Sequence, residues 1–413
     1  MRATSSWRMN FPVTRRVGGR TAVFGSLCGL VFLVNLGRMI YAPLLEPFKA
    51  EFAASTGAVG LLATLAWAGS AAPRLPTGYL LTKVARRWVV LGTGLVLAGG
   101  SAFASTANSL SALYVGALLM GIASGVYYVS AMPLVSELFP ERPGRAIGIN
   151  GMASQLAAVA APLLVAGFYA ITVLPIEPWR LLFRLLAVGA VLSAVAFYLT
   201  ARRVDLPGGE REDLNLTEAL FAQWRVILTG IVVAGLAGLV WNGVFNMYVT
   251  YLNESKEFSQ GLAQIMLTVV FATGVPAFWL TGVIADRVPF VPLMLAVLGS
   301  FVVCLVGLIL AESVVAVFLV SAVTGYVMHS LFPATDTYIL ASLPNTHRGS
   351  GYAIFSSAMM PLQAVGSVFV GGLVDVGFSF DTIFTGLAAG LVVLIGVLVA
   401  LWSAGALPDS QAR

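Results

Sequence analysis

The chain is written as successive runs of roughly twenty mostly apolar residues, each closed by a short polar break, and about twenty such residues are what a helix needs to cross a bilayer. The runs are Thr21–Tyr41, Val59–Leu80, Val89–Ser105, Leu110–Leu134, Ala146–Ala170 and Leu181–Thr200. They resume as Val226–Tyr251, Leu262–Ile284, Val291–Leu310, Val314–Ala334, Tyr352–Val374 and Ile383–Ala404. Between the two sets lies the longest polar stretch, residues 201–225, ARRVDLPGGEREDLNLTEALFAQWR. The pattern predicts an all-α integral membrane protein whose twelve transmembrane helices form two six-helix bundles. The expected organisation is an N-terminal segment 1–20, a bundle 21–200, a linker 201–225, a second bundle 226–404 and a tail 405–413. Within the linker, TEALFAQW has the composition of a short helix lying on the membrane surface.

Composition agrees with this reading. Only 10% of the 413 residues are charged and 59% are hydrophobic, whereas soluble domains carry about 25% charged residues. Mean hydropathy is +0.92. The net charge of +5 does not point to nucleic acid, because the cations sit in breaks between runs rather than on one patch. Cys28 and Cys304 each lie inside an apolar run and are expected to pack rather than to pair. No CxxC, HExxH, P-loop or GxSxG pattern occurs, so no enzyme activity, metal or cofactor is expected. Thr21–Tyr41 is too long for a signal-peptide core and is read as a retained first span.

The N-terminal segment and every second break hold most of the Lys and Arg, including Lys83, Arg86, Arg87, Arg145, Arg202, Arg203, Arg287 and Arg348. The opposite breaks hold only Lys49, Arg180 and Lys256. The positive-inside rule then puts both termini of a multi-pass cell-membrane protein in the cytoplasm.

The halves repeat. Gly78 and Gly282 are 204 positions apart, as are Gly121 and Gly325, and Pro140 and Pro344. Shortening the offset by one pairs Arg145 with Arg348. Duplicated bundles with a site between them suit alternating access. With these landmarks the chain resembles the major facilitator superfamily from its first span to its last. The family's loop motif, Gly-x-Leu-Ala-Asp-Arg/Lys-x-Gly-Arg-Arg/Lys, is matched by Gly78, Leu80, Lys83, Arg86 and Arg87, with Thr82 in place of the Asp. The second copy keeps Gly282, Asp286 and Arg287, and Trp179–Phe183, WRLLF, resembles the family's Trp-Arg-x-x-Phe at the start of the sixth helix. The resemblance implies a cytoplasmic gate built from Gly78, Lys83, Arg145, Gly282, Asp286, Arg287 and Arg348, weaker at the first loop because Thr82 carries no charge.

A charge inside a span costs about 3 kcal/mol on insertion scales, so each needs a reason. Arg38 lies late in the first span with Asn35 on the same face, and the 204 offset sets Asn242 opposite it, with Asn246 one turn on. The resemblance implies that the first and seventh helices line the central cavity and that an Arg there holds a carboxylate or phosphate. The alternative is that Arg38 snorkels to the headgroups. Tyr127, Tyr128, Trp241 and Gln363 are further lining candidates. His329 and Asp336 share the tenth span and are the candidates for ion coupling, against a structural role in bonding a neighbouring helix or capping backbone. Arg74 is expected to cap or snorkel at the cytoplasmic end.

The function expected is secondary active transport of a small solute, an organic anion being the leading class, coupled to a proton or sodium gradient. The alternatives are a drug or hydrophobic-compound efflux antiporter and a non-transporting receptor on the same fold. The expected partners are a small-molecule substrate, the coupling ion and the lipid bilayer, around a monomer.

Overall fold

The computed structural model describes residues 14–81, 83–139, 141, 143–171, 175–204, 216–285, 288–344, 347–405 and 407. Among them the chain is helical, with no strand, as lipid demands of a backbone that has no water to bond. The first half holds α1 (Thr14–Met39), α2 (Tyr41–Glu51), α3 (Thr56–Ala71), α4 (Arg74–Leu81), α5 (Arg86–Ser105), α6 (Leu110–Leu138), α7 (Pro143–Tyr169) and α8 (Pro178–Ala201). The second holds α9 (Leu216–Asn246), α10 (Tyr248–Lys256), α11 (Gln260–Ala285), α12 (Phe290–Leu310), α13 (Val314–Ser342), α14 (Arg348–Ala364), α15 (Gly366–Asp375) and α16 (Phe380–Ser403).

Eleven segments among the described residues are long and apolar enough to cross a membrane. The expected second span is not one of them, because it is divided into α3 and α4 at Ala72–Pro73. Proline supplies no N–H to the preceding turn and clashes with its carbonyl, which ends a helix at that point. Pro43 does the same one turn after Met39, where α1 gives way to α2. Leu216–Ala222 precedes a non-helical Gln223 (φ −122°, ψ 20°) inside α9, and Phe221 and Trp224 there are exposed.

The two halves use the same helix pairings. In the first, α6 packs on α3 and α5, α8 on α5, and α7 on α1. In the second, α13 packs on α11 and α12, α16 on α12, and α14 on α9. Between halves, α15 packs on α3 and α11 on α7. Exchanging the halves maps this set onto itself, as a rotation relating two repeats requires. The 204 offset holds at the atomic contacts. A Cβ on Gly121 would stand 2.3 Å from the Ala66 carbonyl oxygen, and one on Gly325 would stand 2.1 Å from that of Val270. Only glycine lets these backbones meet. Leu192, Val303, Leu310, Val315 and Val393 are exposed and supply the apolar outer surface.

One end of the seam between halves is bonded shut. Asp375, the last residue of α15, accepts from the backbone N–H groups of Thr56 and Gly57 at 2.8 Å each. It thereby caps α3 from the other half, where the helix dipole favours a negative charge. Lys49 pairs with Glu254. The Val368 N–H donates to Thr64 Oγ1 at 3.2 Å. Gln264 Nε2 donates to the Pro43 carbonyl at 2.8 Å, an acceptor left open because Pro47, one turn on, has no N–H. At the same end Arg180 reaches the Ser105 carbonyl at 3.2 Å, and both Trp179 and Arg180 approach Glu51.

Asp375→Asn is expected to loosen this seal. Losing a charge-assisted bond of about 1.5–3 kcal/mol shifts the open population by about tenfold or more. The check is maleimide labelling of Thr64→Cys in detergent, with Cys28 and Cys304 replaced by alanine; equal labelling rates with and without Asp375→Asn would rule out its role in the seal.

Candidate functional site

Arg38 ends α1 buried, at 9% exposure. Its Nη2 donates to Asn35 Oδ1 at 2.7 Å, one turn earlier on the same face, and its Nη1 to Ser70 Oγ at 3.5 Å. Its Cζ lies 4.2 Å from the centre of the Trp67 ring and 5.9 Å from that of Tyr128. Both are cation–π distances, worth most where water is excluded. Its buried Nε has no hydrogen-bond partner. Among the described residues the ion pairs join Lys49 to Glu254, Arg180 to Glu51 and Glu218 to His347, and none reaches Arg38. The guanidinium is therefore held by neutral groups.

Four elements fix it there. Asn35 Nδ2 donates to the Ser154 carbonyl of α7 at 2.6 Å, and the hydroxyls of Tyr128 and Ser154 lie 2.8 Å apart. Ser70 donates to Ser124 on α6 at 3.3 Å. Arg74, at the start of α4, donates from Nε to the Ser70 carbonyl at 3.4 Å, with its Cζ 6.0 Å from the Tyr128 ring. Arg74 also has Asp336 and Tyr352 of the other half as charge neighbours. Arg74 is therefore only partly exposed; its bond to the Ser70 carbonyl, near the end of α3, is a capping contact of the kind expected from sequence, and its charge neighbours lie across the seam.

The second half presents rings where the first presents cations. Trp67 meets Phe245 across the seam, ring centres 6.2 Å apart. Phe245 continues to Trp241 at 4.6 Å and to Phe271 at 5.5 Å, and Trp241 to His329 at 4.9 Å. His329 Nδ1 lies 2.7 Å from the Gly325 carbonyl, and its ring fills the space a side chain on Gly274 would need. At the equivalent place in the first half the partners are exchanged: Gly125 of α6 lies against the Ser70 carbonyl. Asp336 follows His329 by two helical turns, about 10 Å along the axis, with Tyr352 and Arg74 as its neighbours.

Of the residues expected from sequence, Arg38 and Asn35 come together. Asn242 donates to the Gly238 carbonyl at 3.1 Å, Asn246 to Ser367 Oγ at 2.7 Å, and Gln363 to the Ala234 carbonyl at 3.0 Å. All three amides thus bond within α9 or between α9 and α14–α15. The Tyr127 hydroxyl donates to the Leu27 carbonyl at 3.0 Å and accepts from Asn150 at 3.2 Å, so it is Tyr128 that faces Arg38. Lys83 Nζ lies 4.6 Å from the Tyr79 ring, and Gly78 has open space at its Cα. Thr82, Asp286 and Arg287 lie outside the described residues, as do the surroundings of Arg145, Gly282 and Arg348. The sequence reasoning missed Trp67 and Ser70, although a spacing of three residues within α3 is a one-face helical signal, and it did not place Arg74 beside Arg38.

A family model described as Major Facilitator Superfamily matches residues 27–328 and, overlapping, 231–412. The chain is similar to the oxalate:formate antiporter of Oxalobacter formigenes, 24% identical over 367 residues that cover 82% of this chain and 81% of that one. It is similar to the transporter YycB of Bacillus subtilis, 25% identical with 92% of each chain covered. It also resembles the multidrug resistance protein MdtL of Shigella dysenteriae, 25% identical over 59% of this chain and 63% of that protein. In fold it is similar to an inward-facing, occupied bacterial homologue of the human lysosomal transporter Spinster. That likeness has a TM-score of 0.77 at 16% identity, covering 93% of this chain and 96% of the other.

Gly274→Leu is expected to drive a side chain into the His329 ring and to lower stability by about 1–3 kcal/mol. Gly299→Ala, where a Cβ meets nothing, should leave the melting temperature unchanged; equal melting of all three proteins would show that His329 is not packed as described.

Proposed function

The chain belongs to the major facilitator superfamily, whose members are membrane transporters and not enzymes, and from that premise we propose that it carries a small organic anion by alternating access. The observation that carries the proposal is Arg38. A guanidinium 9% exposed, stacked on Trp67, with the neutral side chains of Asn35, Ser70 and Tyr128 around it, is a cation that lacks an anion among the described residues. A buried charge without a counter-ion is strongly unfavourable, and the fork of Arg suits a two-oxygen group such as a carboxylate. The aromatic wall of Trp67, Phe245 and Trp241 would accept an apolar body.

The similarity to the oxalate:formate antiporter fits this reading. The similarity to a multidrug resistance protein favours efflux of hydrophobic compounds as the second reading, but Arg38 repels cationic ones. In the proposed cycle the sealed end would be the outer one and both termini would be cytoplasmic, as the distribution of Lys and Arg suggests, so that the site would open inward. The basic gate residues Lys83, Arg145, Arg287 and Arg348, with Gly78, Gly282 and Asp286, would close the inner end. Transport by a monomer would be driven by a proton or sodium gradient. Asp336 is the better placed coupling group, since His329 is engaged in packing among Trp241, Phe271 and Gly274. Asn242, Asn246 and Gln363 would hold the wall behind the site, and Tyr127 would brace α6.

Counterflow of labelled oxalate and formate into proteoliposomes tests the reading. Arg38→Ala is expected to abolish exchange of the transported anion, and Arg38→Lys to retain part of it, about a tenth if one charge-assisted bond of the fork is lost. Full exchange by Arg38→Ala, or ethidium uptake in place of anion uptake, would overturn it.

A further inference from the structure

Arg38 alone accounts for one anionic group, yet a second guanidinium stands beside it. Ser70 ties the two together, its hydroxyl accepting from Arg38 and its carbonyl from Arg74. One ring serves both, the Tyr128 centre lying 5.9 Å from the Arg38 Cζ and 6.0 Å from that of Arg74. Like charges so close in a membrane interior are costly unless an anion lies between or beside them. The neighbours of Arg38 are neutral apart from Arg74 itself. Arg74 has a carboxylate within range, that of Asp336, which belongs to α13 in the opposite half. Tyr352 of α14, the helix that packs on α4, completes the surroundings of Asp336.

We propose that Arg38 and Arg74 form a two-cation site for a small dicarboxylate, and that Asp336, a charge neighbour of Arg74 from across the seam, balances its charge while the site is empty. The inference rests on the anion reading of Arg38 and adds to it the number of charges on the substrate. One carboxylate engages Arg38, and the other engages Arg74. The substrate carboxylate at Arg74 then sets a like charge near that of Asp336, which disfavours two ionised carboxylates together. Asp336 takes one proton from solvent, forming an O–H bond at its carboxylate, and returns that proton when the substrate leaves. The groups that face Asp336 are Arg74 from α4 and Tyr352 from α14; His329 lies two turns away on its own helix. One proton therefore travels with each dicarboxylate.

The experiment is calorimetric titration of the purified protein with acetate, malonate and succinate, with proton uptake followed by a pH dye in weak buffer. Malonate or succinate should bind at least tenfold tighter than acetate, with about one proton taken up. Above the range where Asp336 titrates, affinity should fall about tenfold per pH unit, as linkage to one proton requires. Arg74→Ala should remove the preference for two carboxylates, so that malonate and succinate bind no tighter than acetate, with Arg74→Lys restoring part of it. Asp336→Asn should keep dicarboxylate affinity but lose both proton uptake and pH dependence, a result that a purely structural Asp336 would not give. Melting curves confirm that each variant is folded. No preference for dicarboxylates in the parent protein, unchanged selectivity in Arg74→Ala, or proton uptake persisting in Asp336→Asn would each overturn the inference. The two readings fail separately. Loss of all anion binding in Arg38→Ala with no effect of Arg74→Ala defeats only the dicarboxylate site, whereas wild-type binding by Arg38→Ala defeats the anion reading itself.

Discussion

Contact of backbone with backbone, at positions where glycine removes the side chain, is the constraint on which the two bundles depend. Lipid gives apolar helices no hydrophobic reason to associate, so packing and interhelical hydrogen bonds must hold them. Gly121 lies against the Ala66 carbonyl and Gly325 against that of Val270, the same pair of positions 204 residues apart. These contacts bring α3 to α6 and α11 to α13, and the helices so paired carry Trp67, Ser70, Phe271 and His329. The site sits where the close approaches put it.

The repeat also shows how two halves built alike acquire different chemistry. One turn beyond the shared glycine contact, the first half has Ser70 on α3 facing Gly125 on α6. The second half has Gly274 on α11 facing His329 on α13. Moving the glycine from one helix of the pair to the other changes which helix can carry a large side chain. In the first half the space stays open for Arg38 and Arg74 to reach Ser70. In the second it is filled by the imidazole ring, which joins Trp241 and Phe271 in one aromatic face. The first half thus presents cations and the second an aromatic face, with no difference in helix pairing.

Much of this is legible in the sequence, and what is not has physical causes. Run lengths and landmark spacing give the helices and their repeat because both follow from local composition. Arg38 with Asn35 is legible because three residues in one unbroken helix define a shared face. Arg74 is not, because Pro73 interrupts the helix before it and periodicity cannot be carried through the break. The bonds from Thr56 and Gly57 to Asp375 and from Gln264 to Pro43 join residues more than two hundred positions apart. No local pattern announces them, although Pro47 does mark the Pro43 carbonyl as an acceptor in need of a donor. Tyr127 and Tyr128 are adjacent and chemically alike, and only the helix rotation decides that Tyr128 faces the cations while Tyr127 bonds to Leu27.

The seal between halves adds polar bonds to a few glycine approaches, Gly371 lying against the Thr56 carbonyl and Gly60 against that of Ser367, at one end of the seam. Lys49 and Glu254 are 27% and 36% exposed, and a pair so placed contributes about 0–1 kcal/mol. The bonds of Asp375, Gln264 and Val368 add about 1 kcal/mol each if neutral and somewhat more where charge assists. Inverting a two-state equilibrium from 1:99 to 99:1 takes about 5.5 kcal/mol of differential affinity. A handful of separate polar bonds lies within that range. The glycine–carbonyl contacts within a half do not, because releasing them would strip packing along whole helices with no water to replace it. The halves can therefore part at the seam while each stays intact, which is what a fold that opens alternately to either side requires.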